Sequence, residues 1–183
     1  MSYQLIAVDM YGTLLNSKKE ITPRTEAAVT AALARGYHVV MTTGRGYRQI
    51  VPYMAQFPAM RYAITSSGAA VADCVENRII SSQNISADTA AGVMRAFVGL
   101  DGFPIIFSNG EALYRPELLN DPQHFGMDAY VDNFKANCTA AEEMERSFLA
   151  APYPVEKLDF YFTDAAERAK FLARVQGAPA WVV

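Results

Sequence analysis

One aspartate directly follows the first apolar run of the sequence. The run is Leu5-Ile-Ala-Val8, Asp9 comes next, and Gly12 and Thr13 follow within four residues. A continuous apolar run is typical of a buried parallel strand, and chemistry in open α/β sheets sits at the carboxyl ends of such strands. Asp9 is therefore a candidate nucleophile, because a carboxylate can form a covalent acyl-type intermediate. The alternative is that Asp9 only ends the strand.

A second polar loop follows the next apolar run. It contains Thr43, Gly44 and Arg45. Thr43 offers a hydroxyl and Gly44 an unhindered amide at the start of a predicted helix, whose N-terminus favours anions. Arg45 either adds positive charge or pairs with a surface carboxylate. Parallel strands end on the same side of a sheet, so we expect this loop and Asp9 to converge on one pocket, with donors and a cation that suit a phosphoryl group.

The first part of the chain is predicted to alternate strands and helices. Thr22 and Pro23 are a good helix start, and Gly36 a good stop. The order β-α-β-α-β implies a parallel sheet with right-handed crossovers. The predicted strands are 5–9, 37–42 and 62–65, the helices 23–35 and 47–57, and a hairpin pairs 69–72 with 78–82.

The second part reads as a separate α+β unit. Ser86 and Asp164 are predicted helix N-caps, and Asn109-Gly110 marks a hairpin turn. The sequence therefore predicts two units, 1–82 and 83–183. In the second unit we expect helices at 86–99, 139–150 and 165–175, strands at 103–107, 112–114, 155–162 and from Trp181, and mainly loop at 116–138.

The composition limits the classes of partner. The chain has 183 residues, a net charge of −3 and no apolar run that approaches the roughly 20 residues of a membrane span. Nucleic acid is a poor candidate partner, because phosphate-backbone binding requires a clustered basic surface. No signal peptide is predicted, and Cys74 and Cys138 have no metal or redox spacing, so the expected location is cytoplasmic. The oligomeric state stays open.

Three motifs together resemble those of the haloacid dehalogenase (HAD) superfamily, and in particular its Cof-type sugar-phosphate phosphatases. They are Asp9-x-x-Gly-Thr-Leu-Leu15, Thr43-Gly-Arg45 and Ser67-Gly-Ala69. The resemblance implies an α/β fold: a Rossmann-like parallel-sheet core, present in part at 1–82, and an inserted α+β cap domain at 83–183.

The resemblance also implies roles for individual residues. Asp9 would be the catalytic nucleophile that forms an aspartyl-phosphate on a small phosphorylated metabolite. Mg²⁺ would bind the Asp9 carboxylate and the backbone carbonyl of Tyr11. The residues implied to contact phosphate or substrate are Met10, Thr43, Gly44, Arg45, Ser66, Ser67 and Gly68.

The sequence departs from the family pattern in three places. Tyr11 stands where the family has its second aspartate, the general acid and base, which is typically worth about 10²–10⁴-fold in rate. Ser67 replaces an asparagine. The family's lysine and acidic metal-binding pair follow the cap, and the sequence ends before them. These departures imply weakened catalysis and metal binding. Tyr11 at this catalytic position is either a rate-lowering substitution or a working acid, because a phenol is a poor base at neutral pH but still donates a hydrogen bond.

Two other functions stay open. Asp9-x-Tyr11-Gly-Thr is similar to the first motif of the 2-haloacid dehalogenases, which displace halide without a metal. Those enzymes carry their cap between the first two motifs, whereas only 33 residues separate Asp9 from Thr43 here. The third possibility is a non-catalytic module that binds a phosphorylated ligand or a partner protein.

Overall fold

A computed structural model describes residues 4–176 of the chain. The chain divides into two compact units, the first ending at Gln83 and the second beginning at Asn84. Each unit has its own sheet and its own apolar core. No helix among residues 4–176 is long and apolar enough to cross a membrane.

The first unit contains a five-stranded sheet in the order β1-β2-β3-β4-β5. β1, β2 and β3 are parallel, and β4 and β5 continue the sheet as an antiparallel hairpin. The predicted β-α-β-α-β order and the hairpin are therefore confirmed. The strands are β1 (Leu5–Asp9), β2 (His38–Thr42), β3 (Tyr62–Thr65), β4 (Ala70–Asp73) and β5 (Arg78–Ser82).

The two crossover helices differ in regularity. α1 (Pro23–Ala34) begins as predicted, because the Thr22 side chain accepts from the backbone N–H of Thr25 and Pro23 occupies the first turn. The predicted helix at 47–57 is shorter and split. A 3₁₀ turn at Tyr47–Ile50 leads into the single-turn helix α2 (Val51–Met54), whose first turn contains Pro52.

β1 differs from the sequence prediction. Its apolar run predicted a buried strand, but Leu5 is 59% and Ile6 40% exposed. β1 stands at the end of the strand order, where β2 is its only partner strand among residues 4–176. An edge strand has neighbouring side chains on one side only, so its own side chains are covered less than those of a central strand.

The second unit contains a four-stranded sheet in the order β8-β7-β6-β9. Apolar clusters cover both faces of this sheet. One cluster includes Ile106 and Phe97, and the other includes Phe103 and Phe134. The elements are α3 (Ala87–Phe97), β6 (Gly102–Ser108), β7 (Glu111–Tyr114), α4 (Val131–Asn137), β8 (Thr139–Ala140), α5 (Met144–Ala150), β9 (Lys157–Phe162) and α6 (Ala165–Arg174).

The middle of this unit was only partly predicted. The segment 116–138, expected to be mainly loop, contains α4 and two 3₁₀ turns, at Pro116–Leu119 and Asp128–Tyr130. The helix expected from Thr139 begins five residues later, because Thr139 and Ala140 pair with β7. The strand predicted from Trp181 lies outside the described residues.

Candidate active site

The two loops expected to converge follow neighbouring parallel strands. Asp9 and Thr42 are register partners at the carboxyl ends of β1 and β2, so Thr43 follows directly beside Asp9. The Asp9 side chain is exposed. Adjacent strands lie about 4.8 Å apart, which places a carboxylate and an amide-rich loop at the same edge of the sheet.

The loop after β1 folds back tightly. The backbone N–H of Leu14 donates to the carbonyl of Asp9 (3.1 Å), and that of Leu15 donates to Met10 (2.8 Å). Gly12 permits this reversal because it adopts a φ of +70°. The Met10 side chain is fully buried in the core, so of this residue only the backbone is left for the predicted substrate contact.

The Thr43-Gly44-Arg45 loop is fixed by backbone contacts. Thr43 is 7% exposed and donates its N–H to the carbonyl of Ile64 (2.9 Å). The hydroxyl of Thr43 accepts from the N–H of Arg45 (3.2 Å). The sequence placed Thr43 and Gly44 at a helix start, but the 3₁₀ turn begins later, with Gly46 as its N-cap. The anion-favouring amides therefore belong to a loop and not to a helix end.

The third predicted segment follows β3 and has an unusual backbone. Ser66, Ser67 and Gly68 have φ values of 52°, 58° and 96°. A left-handed conformation is unfavourable for residues with a Cβ atom, and such strain is often found at functional sites. Ser66 is buried, whereas Ser67 and Gly68 are exposed beside the Thr43 loop.

Within the described residues, 4–176, Arg45 contacts no carboxylate. One terminal nitrogen donates to the phenol oxygen of Tyr11, and the other to the backbone carbonyl of Gln49 (3.4 Å). The guanidinium carbon lies 5.1 Å from the ring centre of Tyr11 and 5.5 Å from that of Tyr53. Of the two alternatives that the sequence left open for Arg45, the contacts of residues 4–176 do not include the pairing with a surface carboxylate, and Arg45 links the loops after β1 and β2.

Two residues of this arrangement were not predicted, Gln49 and Tyr53. The Gln49 side chain accepts from the N–H of Gly46 (2.9 Å) and so orders the turn that follows Arg45. This contact is one half of a capping box, and the sequence signal for it is incomplete because Gly46 has no side chain to return the bond. Nothing in the sequence pattern indicates that Tyr53 flanks Arg45.

Comparison with known proteins identifies the family. A family model described as haloacid dehalogenase-like hydrolase matches residues 6–175. The match covers nearly the whole chain, and the chain belongs to this family.

Individual relatives agree with the assignment. Phosphatase YwpJ of Bacillus subtilis is 29% identical over 114 residues, which are 62% of this chain and 39% of that protein. HMP-PP phosphatase of Serratia proteamaculans is 32% identical over 105 residues, 57% of this chain and 38% of that protein. A haloacid dehalogenase-like hydrolase structure from B. subtilis superposes with a TM-score of 0.76 at 20% identity, covering 96% of this chain and 67% of that chain. The chain thus spans less than half the length of both curated relatives.

Proposed function

We propose that this chain carries the nucleophile and the anion-binding loop of a phosphatase that hydrolyses small phosphate monoesters such as sugar phosphates. The observation that carries the proposal is the pairing of Asp9 with Thr42, which puts the exposed carboxylate beside the Thr43 loop. Membership of the haloacid dehalogenase-like hydrolases, and the names of two phosphatase relatives, support this reaction class.

The proposed reaction uses the residues in distinct roles. The Asp9 carboxylate attacks phosphorus in line with the leaving alcohol and forms an aspartyl-phosphate, which water then hydrolyses. The amide of Gly44 and the hydroxyl of Thr43 hold phosphoryl oxygens, and the left-handed Ser66–Gly68 segment faces the substrate. Catalysis of this kind depends mainly on position and charge stabilisation, which a loop fixed by backbone bonds supplies.

The donor set suits Mg²⁺ as the cofactor. Mg²⁺ prefers oxygen ligands and is commonly held by one or two carboxylates together with substrate phosphate oxygens. The Asp9 carboxylate and the Tyr11 backbone carbonyl would hold it, and the bound ion would neutralise phosphoryl charge. No group of three or more His, Cys, Asp or Glu side chains suited to a metal occurs among residues 4–176. We therefore expect weak binding that phosphate strengthens.

The test measures phosphate release from a panel of sugar phosphates with Mg²⁺. We expect the wild type to release phosphate and Asp9→Asn to release none, because the amide is a poor nucleophile of nearly the same shape. Asp88→Asn, an equivalent change at an exposed helix position, serves as the matched control and should keep full activity. Acid quenching during turnover should trap labelled phosphate on the wild type and not on Asp9→Asn.

Three results would contradict the proposal. Phosphate release that survives Asp9→Asn would assign the activity to another group or to a contaminant. Chloride release from 2-chloropropionate that persists in EDTA, without phosphatase activity, would favour the dehalogenase reaction instead. Stabilisation by phosphate without turnover of any ester would indicate a binding module.

A further inference from the structure

We propose that the second unit binds a free hydrophobic α-amino acid in a cavity at one end of its sheet. The cavity has a volume of about 850 Å³, which is typical of small-molecule sites. It lies where β6 begins and β7 ends, and its lining residues fall between Phe97 and Leu149. The candidate active site uses residues from Asp9 to Gly68, so this inference does not rest on the proposed phosphatase function.

One carboxylate in the cavity has no partner. The other three carboxylates that line it are each paired with a basic side chain. The pairs are Asp101 with His124 (3.1 Å), Glu143 with Arg146 (3.2 Å) and Glu145 with Arg115 (3.1 Å). The fourth carboxylate belongs to Glu117, whose exposed side chain makes no hydrogen bond or ion pair with any residue from 4 to 176. Glu117 can therefore accept from a cationic group of a ligand.

Arg115 offers the opposite charge in the same cavity. Its Nη2 donates to the carbonyl of Gly102 (2.9 Å), and its buried Nε lies near Glu145 without forming a hydrogen bond. The third nitrogen, Nη1, has no acceptor within the described part of the chain and is not buried. The Arg115 side chain is 32% exposed, so this nitrogen is accessible to a ligand. A guanidinium nitrogen of this kind binds a carboxylate oxygen strongly.

The two unused groups require a ligand with both charges. Arg115 and Glu117 are two residues apart in the chain, yet no ion pair joins them among the described contacts. A ligand with one charge would use only one of the two groups. An α-amino acid carries a carboxylate for Arg115 and an ammonium for Glu117, and a single carbon joins them.

The apolar part of the lining indicates the kind of amino acid. Val98 is 50% exposed and, like Leu100, lies in the loop after α3, while Phe125 and Leu149 line the same cavity from other segments. An apolar side chain that covers these residues removes both surfaces from water, which is favourable. We therefore expect phenylalanine or leucine to bind more tightly than glycine.

The test titrates the whole chain with L-phenylalanine in a calorimeter. We expect saturable binding at one site. N-acetyl-L-phenylalanine lacks the ammonium and L-phenylalaninamide lacks the carboxylate, so each should bind about 10-fold more weakly because one charged hydrogen bond is lost. Glycine keeps both charges without the side chain and should also bind more weakly, since it buries little apolar surface.

Variants assign the two charges to their residues. Glu117→Gln should weaken binding of L-phenylalanine about 10-fold and leave the affinity for N-acetyl-L-phenylalanine unchanged, because that probe has no ammonium. Glu142→Gln is the matched control, since Glu142 is exposed nearby and does not line the cavity. Arg115→Met is combined with Glu145→Leu, so that no buried charge is left without its partner. This double variant should also bind about 10-fold more weakly, with an unchanged circular dichroism spectrum.

Three results would overturn the inference. The first is a titration without saturable binding of L-phenylalanine. The second is equal affinity for L-phenylalanine and L-phenylalaninamide, which would indicate a site for simple cations. The third is wild-type affinity in Glu117→Gln, which would place the bound amino acid elsewhere. All three concern amino-acid binding alone, and they are therefore distinguishable from a failure of the proposed phosphatase function.

Discussion

The backbone N–H of Ser67 donates to the carbonyl of Thr43 over 3.1 Å. Next to it, the N–H of Ser66 donates to the carbonyl of Arg45 (2.7 Å). These two bonds attach the left-handed segment after β3 to the loop after β2. The conformation of one loop therefore depends on the other, and the strained backbone is part of what holds the proposed anion-binding loop in place.

The left-handed conformation at Ser67 predicts a ranking of substitutions. Ser67→Val should lower the free energy of unfolding by about 1–2 kcal/mol, because a β-branched side chain clashes at a φ of 58°. Ser67→Asn should stay within about 0.5 kcal/mol of the wild type, since asparagine tolerates this region. Urea unfolding of the three chains measures the order. Equal stability of Ser67→Val and Ser67→Asn would show that the loop is not left-handed in solution.

The hydroxyl of Thr43 predicts a linked effect on stability and anion binding. Thr43→Val keeps the side-chain shape but removes the acceptor for the Arg45 N–H, which should cost about 1–3 kcal/mol. Inorganic phosphate should also inhibit this variant about 10-fold more weakly, since a hydrogen bond to a charged group is lost. Thr43→Ser keeps the hydroxyl and is the control. A Thr43→Val chain with unchanged stability and inhibition would remove Thr43 from the site.

Regular elements with local signals were predictable from the sequence. α1 was predicted because Thr22 and Pro23 mark its start, and the hairpin of β6 and β7 because Asn109 and Gly110 favour a tight turn. The structure around Thr139 could not be predicted from the sequence, because a two-residue strand that pairs with β7 leaves no periodic pattern. Long-range pairing, and not local propensity, decides such short elements.

The candidate site was predictable in its position and not in its contacts. The ends of β1 and β2 place Asp9 beside Thr43. Both strand ends can be recognised from the sequence alone, because each is an apolar run followed by a polar loop. The contact between Arg45 and Tyr11 joins residues 34 positions apart through side-chain rotamers, which no local pattern encodes. The exposure of β1 was equally hidden, because an apolar run does not say whether a partner strand lies on both sides.

Asp73 predicts a stability that depends on pH. Burial opposes ionisation of this carboxylate, but the N–H groups of Glu76 and Val75 and the Arg61 guanidinium donate to it and hold its pKa below the ordinary 3.8. A carboxylate whose pKa is lowered by folding stabilises the folded state at every pH above its unfolded-state pKa. This stabilisation is lost as the pH falls through the folded-state pKa. Asp73→Asn should therefore lower the urea midpoint at pH 7.

The pH dependence of stability provides a check on the Asp73→Asn variant. The difference between Asp73→Asn and the wild type should shrink steadily below about pH 4, where the unfolded carboxylate takes up its proton. Arg78→Gln removes an exposed charge that pairs with the exposed Glu76, and it should change the midpoint little at either pH. A gap between Asp73→Asn and wild type that stays constant down to pH 2 would refute the carboxylate's ionic role.

Ile6 on β1 and Val39 on β2 are register partners. Substituting each of them by threonine compares an exposed position on β1 with a buried position on the neighbouring strand. Ile6 is 40% exposed, whereas Val39 is 4% exposed. Val39→Thr buries an unpaired hydroxyl and should cost about 1–3 kcal/mol in free energy of unfolding. Ile6→Thr should cost less than about 1 kcal/mol, because the new hydroxyl reaches water. Urea unfolding of both variants under identical conditions gives the comparison. Equal costs would mean that the Ile6 side chain is covered in solution.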